Sequence, residues 1–252
     1  MSVLVVTGGS RGIGADICRL GASRGFSVCV NYANSAEEAE CVVDEILGGG
    51  GHAIAVQADV SVPGDVDTLF ERVDVDLGPV TGLVNNAGIM GSGGTVDELD
   101  AELTRHMFEV NTLGPFLCAK AAVRRMAKRH GGQGGAIVNI SSAAAKHGGP
   151  GSYVDYAASK AAVDTFTNGL AREQAGEGIR VNCIRPGAIL TEISKRWMTD
   201  HPEWLGSVVA RTPLGRPGEV RDIASAALWL LSDEANYVTG AILDVSGGWV
   251  TP

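Results

Sequence analysis

A parallel, doubly wound α/β sheet is the fold class this sequence predicts, and three observations carry it. Short, continuous, β-branched apolar runs alternate from end to end with helical patterns. The first of those runs leads straight into a glycine-rich turn and a helix. No repeat, linker or composition shift divides the 252 residues, so a single domain is expected. Strands that read as unbroken apolar runs are those covered on both faces, as in a parallel sheet with helices on either side.

The elements follow in order. The strand "VLVVTG" (3–8) precedes a helix through "GADICRLGASR", and "FSVCVNY" (26–32) precedes one through "AEEAECVVDEIL". "HAIAVQADV" (52–60) leads to a helix through "DVDTLFERVDVD", and "VTGLVNNAG" (80–88) to two helices across 97–130. "GAIVNISS" (135–142), "IRVNCIRPG" (179–187) and "AILDVSGG" (241–248) complete seven strands. The glycine clusters at 48–51 and 131–135 are turns between a helix and a strand, because glycine ends helices cheaply.

Composition narrows the function classes. A net charge of −9, with 45% hydrophobic and 19% charged residues, describes an ordinary globular chain with no wholesale affinity for nucleic acid or acidic membranes. The N-terminus lacks a basic flank and a long apolar run, so no signal peptide is expected. No stretch approaches the ~18 apolar residues of a membrane span. Five scattered cysteines without C-x-x-C spacing read as buried thiols of a cytoplasmic protein, and no His or Cys spacing suits a metal.

The turn "TGGSRGIG" (7–14) lies between the first strand and the first helix. Glycines there let the backbone approach a pyrophosphate, which meets the N–H groups of the helix start. This is the Rossmann position for a dinucleotide, although the spacing Gly8-x-x-x-Gly12-x-Gly14 differs from the commoner G-x-G-x-x-G. An NAD site places an acid at the end of the second strand, but here "CVNYANS" has none before Glu37. Without that repulsion, and with Arg11 in the loop, NADP(H) is expected over NAD(H), with Asn31 and Ser35 as weaker contacts.

In "GSYVDYAASK" a helix is expected to start, capped by Ser152 with Asp155 three residues on. Lys160 then lies one turn from Tyr156 on the same face, whereas Tyr153 is two turns away. A fixed cation nearby makes a phenol of pKa ~10 useful as an acid or base.

Together with "NNAG" (85–88), Asn111 in "FEVNTLGPF", "IVNISS" (137–142), "YAASK" (156–160) and "RPGAILT" (185–191), the ordered motifs make the whole chain resemble the short-chain dehydrogenase/reductase family. The resemblance implies that Ser142, the better match of the two serines, bonds the substrate oxygen and that Tyr156 exchanges its proton. Lys160 would lower the tyrosine pKa and hold the nicotinamide ribose, while Asn111 would kink its helix and anchor a relay water. It implies a cofactor site of Gly8, Ser10, Arg11, Gly12, Ile13, Gly14, Asp59 and Val60 near the phosphates and adenine. Asn86, Ala87 and Gly88 would lie along the ribose, and Pro186, Gly187, Ile189 and Thr191 beside the nicotinamide.

Tyr153 reads as a substrate wall or as ordinary packing. Residues 192–220, with Trp197, Met198, Trp204 and Leu205, read as a lid or as packing helices. The expected substrate is a small ketone, aldehyde or sugar, and the reverse oxidation of a sugar such as glucose is open. A carrier-linked 3-oxoacyl group ranks lower, because the resemblance implies that the acidic "EQAGEG" (173–178) lies near the basic "RRMAKRH" (124–130) that an acidic carrier would need. A non-catalytic NADP-binding sensor is the contrasting class, disfavoured because Asn111, Ser142, Tyr156 and Lys160 all stand. The resemblance also implies a homotetramer, with the C-terminal "YVTGAILDVSGGWVTP" and Trp249 at a subunit contact.

Overall fold

The computed structural model describes residues 2–191, 194 and 203–249. Its strands are β1 (Val3–Val6), β2 (Ser27–Tyr32), β3 (His52–Gln57), β4 (Val80–Asn85), β5 (Gly135–Ile140), β6 (Ile179–Pro186), β7 (Ile189–Leu190), β8 (Gly218–Glu219) and β9 (Ile242–Val245). The α-helices are α1 (Gly12–Ser23), α2 (Ala36–Gly48), α3 (Pro63–Asp76), α4 (Ala101–Phe108), α5 (Gly114–Met126), α6 (Ala144–His147), α7 (Val154–Gln174), α8 (Glu203–Arg211) and α9 (Val220–Leu231).

Seven strands form one parallel sheet in the order β3-β2-β1-β4-β5-β6-β9, while β7 and β8 pair separately. All seven expected strands are present, and the sheet is the parallel, doubly wound Rossmann-type arrangement. The order reverses beside β1, which opens a crevice at the carboxyl ends of β1 and β4, where such sheets bind ligands.

Side-chain alternation splits the core in two. Val3 and Val5 of β1 point into a layer shared with Leu69 and Phe70 of α3, Ala122 and Met126 of α5, and Ala171 of α7. Leu4 and Val6 point the other way, to Ile17 of α1, Val42 of α2, and Ile223 and Leu228 of α9. Each strand therefore carries apolar residues at successive positions, which is why the runs are continuous.

The strands end earlier than their apolar runs suggest. β4 stops at Asn85 because Asn86 and Ala87 turn their N–H groups onto Thr7 Oγ1, both at 3.0 Å. The glycine clusters are turns: Gly50, Gly131 and Gly134 have φ of +80°, +86° and +85°. Ser152 does not cap α7. The chain folds over Gly149, whose carbonyl accepts from the N–H groups of Ser152 and Tyr153, so Tyr153 precedes the helix without a side-chain cap bond. Asp155 Oδ1 instead accepts from the N–H of Tyr156 at 2.8 Å.

Of the expected lid, Trp197 and Met198 lie outside the described residues, and Trp204 and Leu205 are half-buried on α8. Cys18, Cys29, Cys118 and Cys183 are buried free thiols and Cys41 is exposed. Burial pushes the Cys118 thiol up to about 12. Among the described residues no metal-binding cluster exists, and no helix is long and apolar enough to cross a membrane.

Candidate active site

The glycine turn is built by exclusion of side chains. Gly12 has φ +56°, and a Cβ on Gly14 would collide with the Gly8 carbonyl oxygen and with Asn86 Nδ2. Asn86 Nδ2 donates to the carbonyls of Thr7 and Gly8 at 2.9 and 3.0 Å, which clamps the turn to the end of β4. Asn31, completely buried, holds it from the other side: Oδ1 accepts from the Gly8 N–H at 3.3 Å, and Nδ2 donates to the Ala58 carbonyl at 3.0 Å. No side chain caps α1 and its first turn has no acid, so its N–H groups stay available to an anion.

Beside this turn lies a cavity of about 350 Å³. Gly8, Ser10, Arg11, Gly12, Ile13, Asn31, Ser35, Asp59, Val60, Asn86, Ala87, Gly88 and Thr191, all read from the sequence, line it. Sequence reasoning missed Tyr32, Ala33, Asn34, Ala58, Ile89, His106 and Val110. Val110 and His106 come from the helical stretch after β4, and only packing brings that stretch over the crevice. Arg11 and His106 are the basic residues of the lining and Asp59 is its one acid. Asp59 Oδ1 is engaged by the N–H and hydroxyl of Ser61, at 2.9 and 2.7 Å. A polar cleft with free helix-start amides and a basic mouth fits a phosphorylated dinucleotide.

Gly14 supports the turn from behind and does not line the cavity. Pro186, Gly187 and Ile189 do not line it either. Ala143 N–H donates to the Pro186 carbonyl at 2.9 Å, Gly187 N–H donates to the Val245 carbonyl at 3.1 Å, and Ile189 opens β7.

Four further residues converge between β5 and α7. Ser141 and Ser142 at the end of β5 part ways. The Ser141 hydroxyl donates to the Lys160 carbonyl at 3.0 Å and is buried. Ser142, half-buried, hydrogen-bonds the Tyr156 hydroxyl, and this bond lowers the phenol's pKa against the burial that raises it above 10. Lys160 is one turn along α7, its Nζ 5.9 Å from the Tyr156 ring centre and donating to the Ile140 carbonyl at 3.0 Å. Burial drives the Lys160 ammonium down to about 8, opposed by the nearby Asp164 carboxylate. The lysine is therefore beside the tyrosine as the spacing requires. The expected depression of the phenol pKa by Lys160 is not found: burial raises it, only the hydrogen bond with Ser142 opposes the rise, and the ammonium is turned to a carbonyl of β5.

Asn111 sits in a π-helical turn, Glu109–Leu113, between α4 and α5. Its Oδ1 accepts from Ile89 N–H and its Nδ2 donates to the Ile89 carbonyl, both at 2.8 Å. Nδ2 also donates to Ser159 Oγ at 3.2 Å. The wider turn lets one side chain tie the loop after β4 to α7. A Cβ on Gly88 would stand 3.2 Å from Lys160 Nζ and 3.3 Å from Asn111 Oδ1, so the cavity wall abuts these residues. The cleft, the phenol, the hydroxyl and the ammonium thus form one continuous site able to hold a dinucleotide and exchange a proton.

Known proteins share this plan. A family model described as enoyl-(acyl carrier protein) reductase matches residues 8–250. The chain is 46% identical over 248 residues to the uncharacterized oxidoreductase YgfF of Escherichia coli K12, spanning 98% of this chain and 100% of that one. It is 39% identical over 259 residues to the chloroplastic NADPH-dependent aldehyde reductase-like protein of Arabidopsis thaliana, spanning 98% and 94%. Among solved structures, a blue fluorescent protein from a metagenomic library in complex with NADPH matches with a TM-score of 0.89 and 38% identity, covering 99% of this chain and 98% of that one. Sheet order, site and whole-chain similarity agree: the chain belongs to the short-chain dehydrogenase/reductase family of oxidoreductases.

Proposed function

We propose that the chain is an NADP(H)-dependent oxidoreductase for a small ketone, aldehyde or sugar and its alcohol, the bound nicotinamide supplying or taking up the hydride. The observation that carries this reading is the Ser142–Tyr156 hydroxyl pair, one helical turn from a buried ammonium and against the wall of a phosphate-ready cleft. In reduction, Ser142 donates a hydrogen bond to the carbonyl oxygen, and Tyr156 gives its proton to that oxygen as negative charge develops. Lys160 stabilises the phenolate left behind. Asn111 keeps the loop after β4 and the start of α7 in register around them.

Gly8, Ser10, Arg11, Gly12 and Ile13 would hold the pyrophosphate and the 2′-phosphate, Asp59 and Val60 the adenine, and Ala87 and Gly88 the ribose. Lys160 would reach the nicotinamide ribose and Thr191 the carboxamide. Arg11 at the cavity mouth, with no acid between Asn31 and Ser35, supports NADP(H) over NAD(H). The two NADPH-associated relatives agree with that choice.

Acyl-carrier docking ranks below a free substrate because the basic run at the end of α5 is partly neutralised. Arg125 pairs with Asp74 at 2.7 Å and Arg129 with Glu177 at 3.1 Å. The test is a panel of aldehydes, ketones, sugars and acyl thioesters followed at 340 nm with each cofactor in both directions. Turnover with NADPH at higher kcat/KM than with NADH is expected. Tyr156→Phe should cut kcat by about 10²–10⁴ while NADPH affinity stays within about twofold. Near-native activity of that variant, or preference for NADH, would refute the assignment.

A further inference from the structure

From Tyr156 a row of rings leads away from the cofactor cleft. Tyr153 meets Tyr156 edge-on with ring centres 6.2 Å apart. His147, at the end of α6, meets Tyr153 edge-on at 6.0 Å. Trp249, beyond β9, stacks on His147 at 5.6 Å and 26°. Trp249 was expected at a subunit contact, yet its ring partners lie within its own chain.

The row ends on a cation. The Arg211 guanidinium, in the last turn of α8, lies 5.1 Å from the Trp249 ring centre. Among the described residues its hydrogen bonds go only to the carbonyl and hydroxyl of Ser207, at 3.2 and 3.0 Å, and it has no carboxylate partner. Arg216, five residues on, contrasts with it and is neutralised by Asp222 at 2.8 Å. Arg211 is exposed, and its charge reaches back along the row: burial raises the Tyr153 pKa and Arg211 opposes that rise, while at His147 burial and Arg211 both act downward. With burial acting in the same direction, His147 is a neutral ring at pH 7 and not a second cation.

A row of aromatic rings that begins at the proton-exchanging tyrosine and ends on a guanidinium with no carboxylate partner among the described residues matches one kind of molecule. Aromatic faces favour a planar, π-rich body, and a guanidinium favours a carboxylate. We propose that Tyr153, His147, Trp249 and Arg211 form a distal substrate subsite that selects an aromatic aldehyde or ketone carrying a carboxylate. This deepens the oxidoreductase reading and rests on it, since the row is placed by its contact with Tyr156.

The probes are 4-carboxybenzaldehyde and 4-methylbenzaldehyde, alike in shape and different in charge. Two measurements are made: kcat/KM with NADPH, and calorimetric affinity in the presence of NADP+, where no reduction can occur. The expected result is a preference for the carboxylated probe in both. Arg211→Gln should reduce that preference about tenfold, while Arg211→Lys should retain most of it. Turnover of both probes with equal kcat/KM and equal affinity overturns the subsite and leaves the oxidoreductase reading standing. So does a preference that Arg211→Gln leaves untouched. Selective binding of the carboxylated probe without reduction of any carbonyl compound supports the subsite and overturns the oxidoreductase reading.

Discussion

Lys160 shows how finely charge is balanced at single residues here. It is 4% exposed, and burial is the largest cause of its lowered pKa. Asp164, one turn further along α7 and itself buried, opposes that lowering. Cys183 of β6 faces both: it donates to Asp164 Oδ1 at 3.4 Å, and burial pushes its thiol well up, so it stays neutral. Arg185 of β6 shares the Asp164 carboxylate at 2.8 Å, while Ile140 of β5 and Asn111 present only neutral groups. The sign follows. Below pH about 8 Lys160 is an ammonium, and above it the charge is lost, so kcat should fall as pH rises through that value. Asp164→Asn removes the carboxylate that holds the proton and should move the falling limb about one unit lower, with KM little changed. A pH–kcat profile checks this, and an unmoved limb would show that Asp164 only packs.

At the scale of elements, the turn from β1 into α1 was legible as glycines at fixed spacing, but its rigidity was not. A Cβ on Gly14 would collide with the Gly8 carbonyl and with Asn86, which follows β4 some 70-odd residues away in sequence. Gly14→Ala should therefore weaken NADPH binding at least tenfold and cost about 1–3 kcal/mol of stability, the usual range for overpacking. Fluorescence titration and denaturant melts measure the two effects separately. The start of α7 was misread for a related reason. Ser152 and Asp155 have the right spacing for a capping box, yet Gly149 and Gly151, both at positive φ, fold the chain so that the Gly149 carbonyl takes the amides first. Local competition of that kind leaves no periodic trace in the sequence.

Across the whole molecule, the sheet ends on β9, an edge strand, and large apolar side chains remain exposed nearby: Tyr237 fully and Trp229 by 37%. An unpaired edge and such a surface suit a symmetric contact with a second copy. Sedimentation velocity at micromolar concentration should give a homo-oligomer, a tetramer by the family resemblance, and a monomer would contradict it. Trp249 should not lose its stacking on His147 in that assembly, because its ring partners are internal.

By itself the sequence determined the seven strands of the main sheet, its doubly wound order, the phosphate turn and the Tyr156–Lys160 pair, because each is written in local chemistry: β-branched runs, glycines that must turn, and residues one helical pitch apart. It did not determine the short β7–β8 pair. Tertiary structure alone decided that Asn86 clamps the turn after β1 and that His106 and Val110 line the cleft. It also alone brought Arg211 and Trp249 to the row that starts at Tyr156. Those relations join residues tens to more than a hundred positions apart. Their energies come from burial and contact across the sheet, which no local pattern encodes.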